Sequence, residues 1–418
     1  MTATGPVNGR LVPVTPAGEK LCAAIDEVAG FLADEATRND AAGRYARASI
    51  DRINEAGVLA ACAPVDDGGF GVESLYDLGV ATSRLAEADA SVAIAAYMHL
   101  ALSWYYARTV RCAPPGQPAE PRQREWLRAI GRRQMVVCSS VAEPGTNAWQ
   151  MTTTATRSGG DWIINGRKVL ASISPSATHF YTRVRAETAD GPMQGSVMIP
   201  LDAAGVEVRD DWDGLGLRGS GSGEVVFSGV VLPEDAVSPR GRWGQWDRRG
   251  MEGRAASSTP LLAVYLGIAE TARTAALASL RAGLAGARDR THSAGTKAML
   301  AEVEVRMAAA RGALRSALSD IDAHVTHAAP RSLPVEVGQA LMAQCVAAGM
   351  AVERAAVEVV DLAMQICGGR SYAGGHPLGR LCRDVRAGWF MRPHAPAEEW
   401  LDFLAEWALR EPDGTLGR

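Results

Sequence analysis

Four stretches of this chain carry residue types able to hold a ligand or move a proton. Glu143-Pro144-Gly145-Thr146-Asn147 offers backbone amides, a hydroxyl and an amide side chain. That set can hold a phosphate or a polar ring edge, and it is equally the composition of an ordinary turn. Ser172-Ile173-Ser174-Pro175-Ser176 gathers hydroxyls in a way that suits either a ligand loop or a plain connection. Leu215-Gly216-Leu217-Arg218-Gly219-Ser220-Gly221-Ser222-Gly223 places four glycines around one arginine. It is neither GxGxxG opening a helix nor a loop ending in Gly-Lys-Ser/Thr, so neither a dinucleotide fold nor a P-loop is supported. Gln365-Ile366-Cys367-Gly368-Gly369 closes a long apolar run, and Arg383-Asp384-Val385-Arg386 follows, its Arg-Asp couple either buried or on the surface.

Other chemistries are poorly served. The seven histidines are dispersed, and His324 and His327, three apart at a helix end, have no obvious carboxylate that completes a metal set, so no metal site is expected. The seven cysteines are scattered without a CxxC pair, which argues against a disulfide framework or structural zinc. Gly219 to Gly223 has serines only at its second and fourth places, off register for a Gly-x-Ser-x-Gly nucleophile elbow. A net charge of −4 and pI of about 6.0 speak against nucleic acid as a partner. No uninterrupted apolar run has the ~18–20 residues that span a bilayer, and residues 1–15 lack a basic-then-apolar leader pattern. A cytoplasmic protein without a membrane role is expected.

The elements that must position these residues change texture twice. Helical periodicity runs from residue 18 to about 110, with Leu21, Ile25, Val28 and Leu32 on one stripe and further helices over 45–59, 75–87, 90–108 and 122–131. From 135 to 237 the period becomes two. Strands are expected at 135–141, 180–185, 195–199, 206–208 and 224–231, and a hairpin over 162–170 turns at Asn165-Gly166. Long helices return over 260–281, 297–327 and 334–366, with a terminal helix after Pro396. The class is therefore α+β: a flexible stretch 1–17, a helical N-domain 18–134, a middle antiparallel β-domain 135–237, and a C-terminal helical bundle 238–418.

In this order the motifs resemble the acyl-CoA dehydrogenase superfamily of flavoproteins. The carriers are Ala63-Pro64 with Gly68-Gly69-Phe70-Gly71, Ala142-Glu143-Pro144-Gly145, Asn165-Gly166-Arg167-Lys168, Gly216-Leu217-Arg218-Gly219-Ser220, Gln365 to Gly369, and Pro377-Leu378-Gly379-Arg380-Leu381-Cys382-Arg383-Asp384. The resemblance implies a C-terminal four-helix bundle, FAD between the β-domain and that bundle, and a homotetramer or dimer. It assigns Ser140, Val141 and Ala142 to the edge of the flavin ring, and Ser172 to the hydroxyl near flavin N5. Thr146 and Asn147 fall in the loop touching flavin phosphates and the substrate arm. Gln365, Gly368 and Gly369 match the segment that receives the adenosine-diphosphate part of a neighbour's FAD.

The match departs where the dehydrogenases carry their base. Eight residues after Asp384 stands Arg392, followed by Pro393 and His394, and the alternative base position is Ser257. An arginine stays protonated and cannot be a general base near neutral pH. Arg392 is expected to hold an anionic or carbonyl group, His394 to assist proton transfer, and Glu252, Glu398 and Glu399 are the carboxylates a loop might supply in the base's stead. The flavin-gripping Arg-x-x-Phe-Gly is replaced by Gly283-Leu284-Ala285-Gly286-Ala287. Three functions follow in order: a flavin-dependent oxidoreductase acting on an acyl thioester carried by CoA or a carrier protein; a monooxygenase supplied with reduced flavin by a reductase and hydroxylating nitrogen, sulfur or carbon; and a redox-neutral or binding-only relative. The partner expected is a small-molecule or thioester-tethered substrate.

Overall fold

The computed structural model describes residues 9–114, 121–147, 149–284, 290–291, 293–391 and 397–410. Arg392 and His394 lie outside the described residues, as does most of 283–287. Five helices come first: α1 (Pro16–Ala42), α2 (Arg47–Glu55), α3 (Leu75–Ala88), α4 (Ala90–Arg111) and α5 (Pro121–Gly131). Helix α1 starts on Thr15, whose hydroxyl accepts from the Gly18 amide, with Pro16 in the first turn where its missing N–H costs nothing. It stops at Gly43, whose φ of 61° a side chain would resist. Its stripe of Leu21, Ile25, Val28 and Leu32 is buried as the periodicity predicts. Helix α4, capped by Asp89 through the Ser91 and Val92 amides, is buried on nearly every face.

The middle of the chain forms one sheet from β1 (Val137–Ser139), β2 (Thr154–Ser158), β3 (Asp161–Lys168), β4 (His179–Thr188), β5 (Gly191–Pro200), β6 (Val206–Val208), β7 (Val225–Leu232) and β8 (Val237–Arg242). The order is β6-β7-β3-β2-β4-β5-β8, with β1 added beside β4. Most pairings are antiparallel as expected, but β1–β4 and β2–β4 are parallel, so the sheet is mixed. The hairpin turn also differs from expectation. Strand β3 runs straight through Asn165-Gly166, while the turn lies at Gly159-Gly160, both with positive φ. Asn165-Gly166 is instead a bulge: the register with β7 shifts there, Gly166 has φ 152°, and a Cβ on it would lie 2.5 Å from Thr153 Oγ1.

The remaining helices are α6 (Met251–Ser258), α7 (Ala263–Leu284), α8 (Ala294–Val325), α9 (Val335–Cys367), α10 (Pro377–Asp384) and α11 (Ala397–Ala408). Helix α9 packs on α7, α8 and α6, and α3 docks on α7, so the first and last helical blocks share a core. Two stretches, 248–283 and 335–372, are long and apolar enough to cross a bilayer by length and composition, which no uninterrupted apolar run had indicated. Of the apolar windows within them, 67% and 56% respectively are buried inside the structure.

Candidate functional site

Two of the motifs that carried the resemblance meet as a buried ion pair. Lys168 at the end of β3 donates to Glu143 Oε1 at 2.5 Å and to the Arg183 carbonyl at 2.8 Å, with neither charged side chain more than 1% exposed. Glu143 also accepts from the Thr152 amide and hydroxyl and from the Thr153 amide. Burial alone would raise its carboxyl. Lys168 and these donors overcome that and hold it at about 2, while burial brings Lys168 down to about 8. Both stay charged at neutral pH. The pair is a strut, and it ties the loop after β1 to the end of β3.

That strut sets the two expected flavin segments side by side. Ser140 donates to the Val169 carbonyl at 2.7 Å, and the Val169 amide donates to the Ala142 carbonyl at 3.0 Å. Three residues further on, Ser172 is buried and shares a 2.7 Å hydrogen bond with Ser222, which in turn meets Ser220 at 2.6 Å. The glycine-rich loop also brackets Ser172 through its backbone. Gly223 accepts from the Ala171 amide and Ser220 from that of Ile173. A chain of three hydroxyls therefore runs along one wall of a cavity of about 260 Å³, whose other walls include Ile94, Leu170, Trp212, Phe390 and Met391.

The backbone here is strained. Among the described residues five non-glycines have left-handed φ; Leu170 (53°) and Leu217 (51°) line this cavity, and Ile173 (69°) follows Ser172 in the chain. Such conformations persist only where surrounding contacts over-determine them, and they gather at functional sites. A planar apolar ring with a polar edge suits this cavity, so the residues present fit a flavin: Ser172 would hold its edge and the apolar side chains its faces.

A second cavity, of about 170 Å³, opens from Ser139 and Val141 toward a polar rim. Arg183 from β4, Arg240 from β8, Arg254 from α6 and Arg331 from the α8–α9 turn converge on it, with Tyr105 and Tyr181. Arg183 makes no side-chain hydrogen bond among the described residues. Arg254 lies over the rings of Trp149 and Trp400, 4.8 and 5.0 Å from their centroids. Arg331, with φ 65°, forks onto Asp247 at 2.7 and 3.0 Å. Glu252 lines the same cavity, but its Oε1 is engaged by buried Arg108 at 2.9 Å and by the Arg331 amide at 2.8 Å. Ser257 lines it too. Glu398 and Glu399 line neither cavity.

The other expected residues are placed apart. Asn147 closes a local turn by accepting from the Trp149 and Gln150 amides, and neither it nor Thr146 lines either cavity. Gln365 and Gly369 are exposed at the end of α9, Gly368 is half-buried with φ 72°, and the segment has no part in the Ser172 wall. Arg383 and Asp384 do not pair with each other. Arg383 forks onto Asp40 of α1 at 2.8 and 2.6 Å, while Asp384 accepts from the Leu217 amide at 2.7 Å. The sequence reading missed the converging arginines. They come singly from four elements and leave no local pattern.

Comparison with known proteins agrees with this architecture. The acyl-CoA dehydrogenase N-terminal, middle and C-terminal domain families match residues 19–109, 138–230 and 261–392. The chain is 36% identical over 404 residues to the amino sugar nitrososynthase DnmZ of Streptomyces peucetius, covering 96% of each. It is 34% identical to the L-evernosamine nitrososynthase of a Micromonospora species, covering 95% of this chain and 91% of the relative. A solved structure of KijD3 in complex with FMN and dTDP-3-amino-2,3,6-trideoxy-4-keto-3-methyl-D-glucose superposes with a TM-score of 0.87 at 34% identity, covering 96% of each chain. FMN-bound TdsC from Paenibacillus sp. A11-2, at 24% identity and a TM-score of 0.81 over 95% of this chain and 99% of its own, shares the fold. With all three domain families in order and relatives matched over nearly the whole length, the chain belongs to the acyl-CoA dehydrogenase superfamily and is a flavin-dependent oxidoreductase.

Proposed function

We propose that the protein is a monooxygenase that takes reduced FMN from a separate reductase and oxidises the amine nitrogen of a nucleotide-linked amino sugar. The observation that carries this reading is the 36% identity, over 96% of both chains, with an amino sugar nitrososynthase. The arginine-rimmed cavity supports it. Four guanidinium groups with two tyrosines suit a nucleoside diphosphate, whose phosphates take forked donors and whose base takes an aromatic face. Both base positions of the dehydrogenases, Arg392 and Ser257, lack a carboxylate, which favours this reading over removal of a Cα proton from an acyl thioester. Arg392 and His394 belong to it as substrate-holding and proton-transfer residues.

FMN is favoured over FAD because the KijD3 complex contains FMN. When bound, the reduced flavin supplies the activation of dioxygen. The protein's own share is positional. Ser172, backed by Ser222 and Ser220, presents a hydroxyl to the ring edge, and Ser140 fixes the 140–142 segment beside it. Leu170, Trp212 and Phe390 exclude water from the faces. Arg183 and Arg331 hold the phosphates and so bring the amine to Val141. A homodimer or tetramer in the cytoplasm completes the reading.

The test is turnover of a dTDP-amino sugar with FMN, NADH, a flavin reductase and labelled dioxygen. Label on the product nitrogen is the expected result. Anaerobic bleaching of the flavin by a saturated acyl-CoA, without oxygen incorporation, would return the protein to the thioester dehydrogenases.

A further inference from the structure

The Ser172 wall is held in place by a residue that does not line the cavity. We propose that Asp384 is a positioning residue for the flavin pocket, latching the glycine-rich loop so that Ser220 and Ser222 can reach Ser172. This rests on reading the Ser172 cavity as the flavin site.

The argument begins with Leu217. Its left-handed φ of 51° is unfavourable for a branched residue, and its amide is fixed by Asp384 Oδ1 at 2.7 Å. The turn so formed continues at once into Ser220, whose amide donates to the Leu217 carbonyl at 3.0 Å, and then into Ser222 and the bonds that bracket Ser172. Helix α10 lies directly on this loop: a Cβ on Gly216 would fall 2.5 Å from the Arg383 backbone. The chain of influence is Asp384, Leu217, Ser220 and Ser222, Ser172. The second carboxyl oxygen of Asp384 is buried without a hydrogen-bond partner among the described residues, an expense that a merely structural aspartate has no reason to carry.

The latch is also sensitive to protons. Asp384 is 1% exposed, and burial pushes its carboxyl up to about 7. Arg380 of the same helix and the Leu217 amide pull the other way, while Asp89 at the head of α4 and Asp40 of α1 add to the rise; Arg383 is turned onto Asp40. Because the buried carboxyl titrates above its solvated value, seating Asp384 in this position is most favourable when it is protonated; the Leu217 bond favours the carboxylate and offsets this only in part. The latch weakens as pH rises and levels off above about 7. Asparagine keeps the accepting oxygen and removes the titration.

The experiment is FMN binding to the purified full-length protein, read by flavin fluorescence between pH of about 5.5 and 8.5, for wild type, Asp384→Asn and Asp384→Ala. Asp384→Ala is expected to weaken FMN binding about tenfold or more, and Asp384→Asn to stay within about threefold of wild type at low pH. The ratio of wild-type to Asp384→Asn dissociation constants should rise toward neutral pH and then flatten. Taking that ratio cancels the titration of FMN's own phosphate near pH ~6. If Asp384→Ala fails to fold, the ratio for Asp384→Asn decides alone. A flat ratio, or an alanine variant that binds FMN as wild type does, overturns the latch. Absence of FMN binding by the wild type would instead overturn the site reading on which it rests.

Discussion

Replacing Lys168 by methionine removes one half of the buried pair beneath the site while keeping most of the side-chain volume. Lys168 is fully buried and Glu143 nearly so, so the orphaned carboxylate cannot turn to water. Breaking a buried pair from one side costs about 3–5 kcal/mol. Three donors from Thr152 and Thr153 remain on Glu143, which places Lys168→Met at the lower end, about 3 kcal/mol. The double variant Lys168→Met/Glu143→Gln removes both charges, and should recover most of the loss, to within about 1 kcal/mol of wild type. Urea unfolding followed by tryptophan fluorescence measures all four proteins of the cycle. The wild-type protein should also lose the Glu143 contribution only in strong acid. A carboxyl held at about 2 stabilises the fold above its ordinary range of about 4.5, and stops doing so as pH falls through about 2. A single variant within about 1 kcal/mol of wild type, or a double variant as weak as the sum of the singles, would refute the strut.

On the proposed reading, in which its hydroxyl meets the ring edge, Ser172→Ala should slow turnover on the order of 10²-fold while changing FMN affinity much less; steady-state kinetics beside fluorescence titration separate the two. Gly369→Trp should leave FMN binding unchanged, because Gly369 is exposed and a side chain there meets open space; a loss of flavin would favour FAD and a site shared between subunits. Arg183→Ala should weaken dTDP binding on the order of tenfold, measured by calorimetry, with FMN binding preserved.

Much of this arrangement could be read before the coordinates. The stripe in α1 was legible because burial there follows helical spacing alone. Asn165-Gly166 misled for a physical reason: positive φ at an Asn-Gly step serves a two-residue turn and a bulge equally well, and only the pairing with β7 decides between them. Ser172 was identifiable as a candidate, yet nothing in the sequence joins it to Ser220 and Ser222, about fifty residues later. The Arg-Asp couple does not act as a unit, since Arg383 serves α1 and Asp384 the glycine-rich loop of the middle domain. The arginine rim was invisible because no two of its members are near in sequence.

The glycine-rich loop is fastened from three directions: Arg218 donates to the Asp40 carbonyl of α1, Gly219 donates to Ser91 of α4, and Leu217 donates to Asp384 of α10. Those anchors are separated by more than three hundred positions along the chain, counted from Asp40 to Asp384. During synthesis the sheet emerges long before its last fastener does. A nascent chain halted between the glycine-rich loop and α10 therefore has Ser172 and the first two anchors but lacks the Asp384 contact. The proposed flavin pocket is complete only once α10 has been made, and flavin binding would report on completed synthesis as well as on folding.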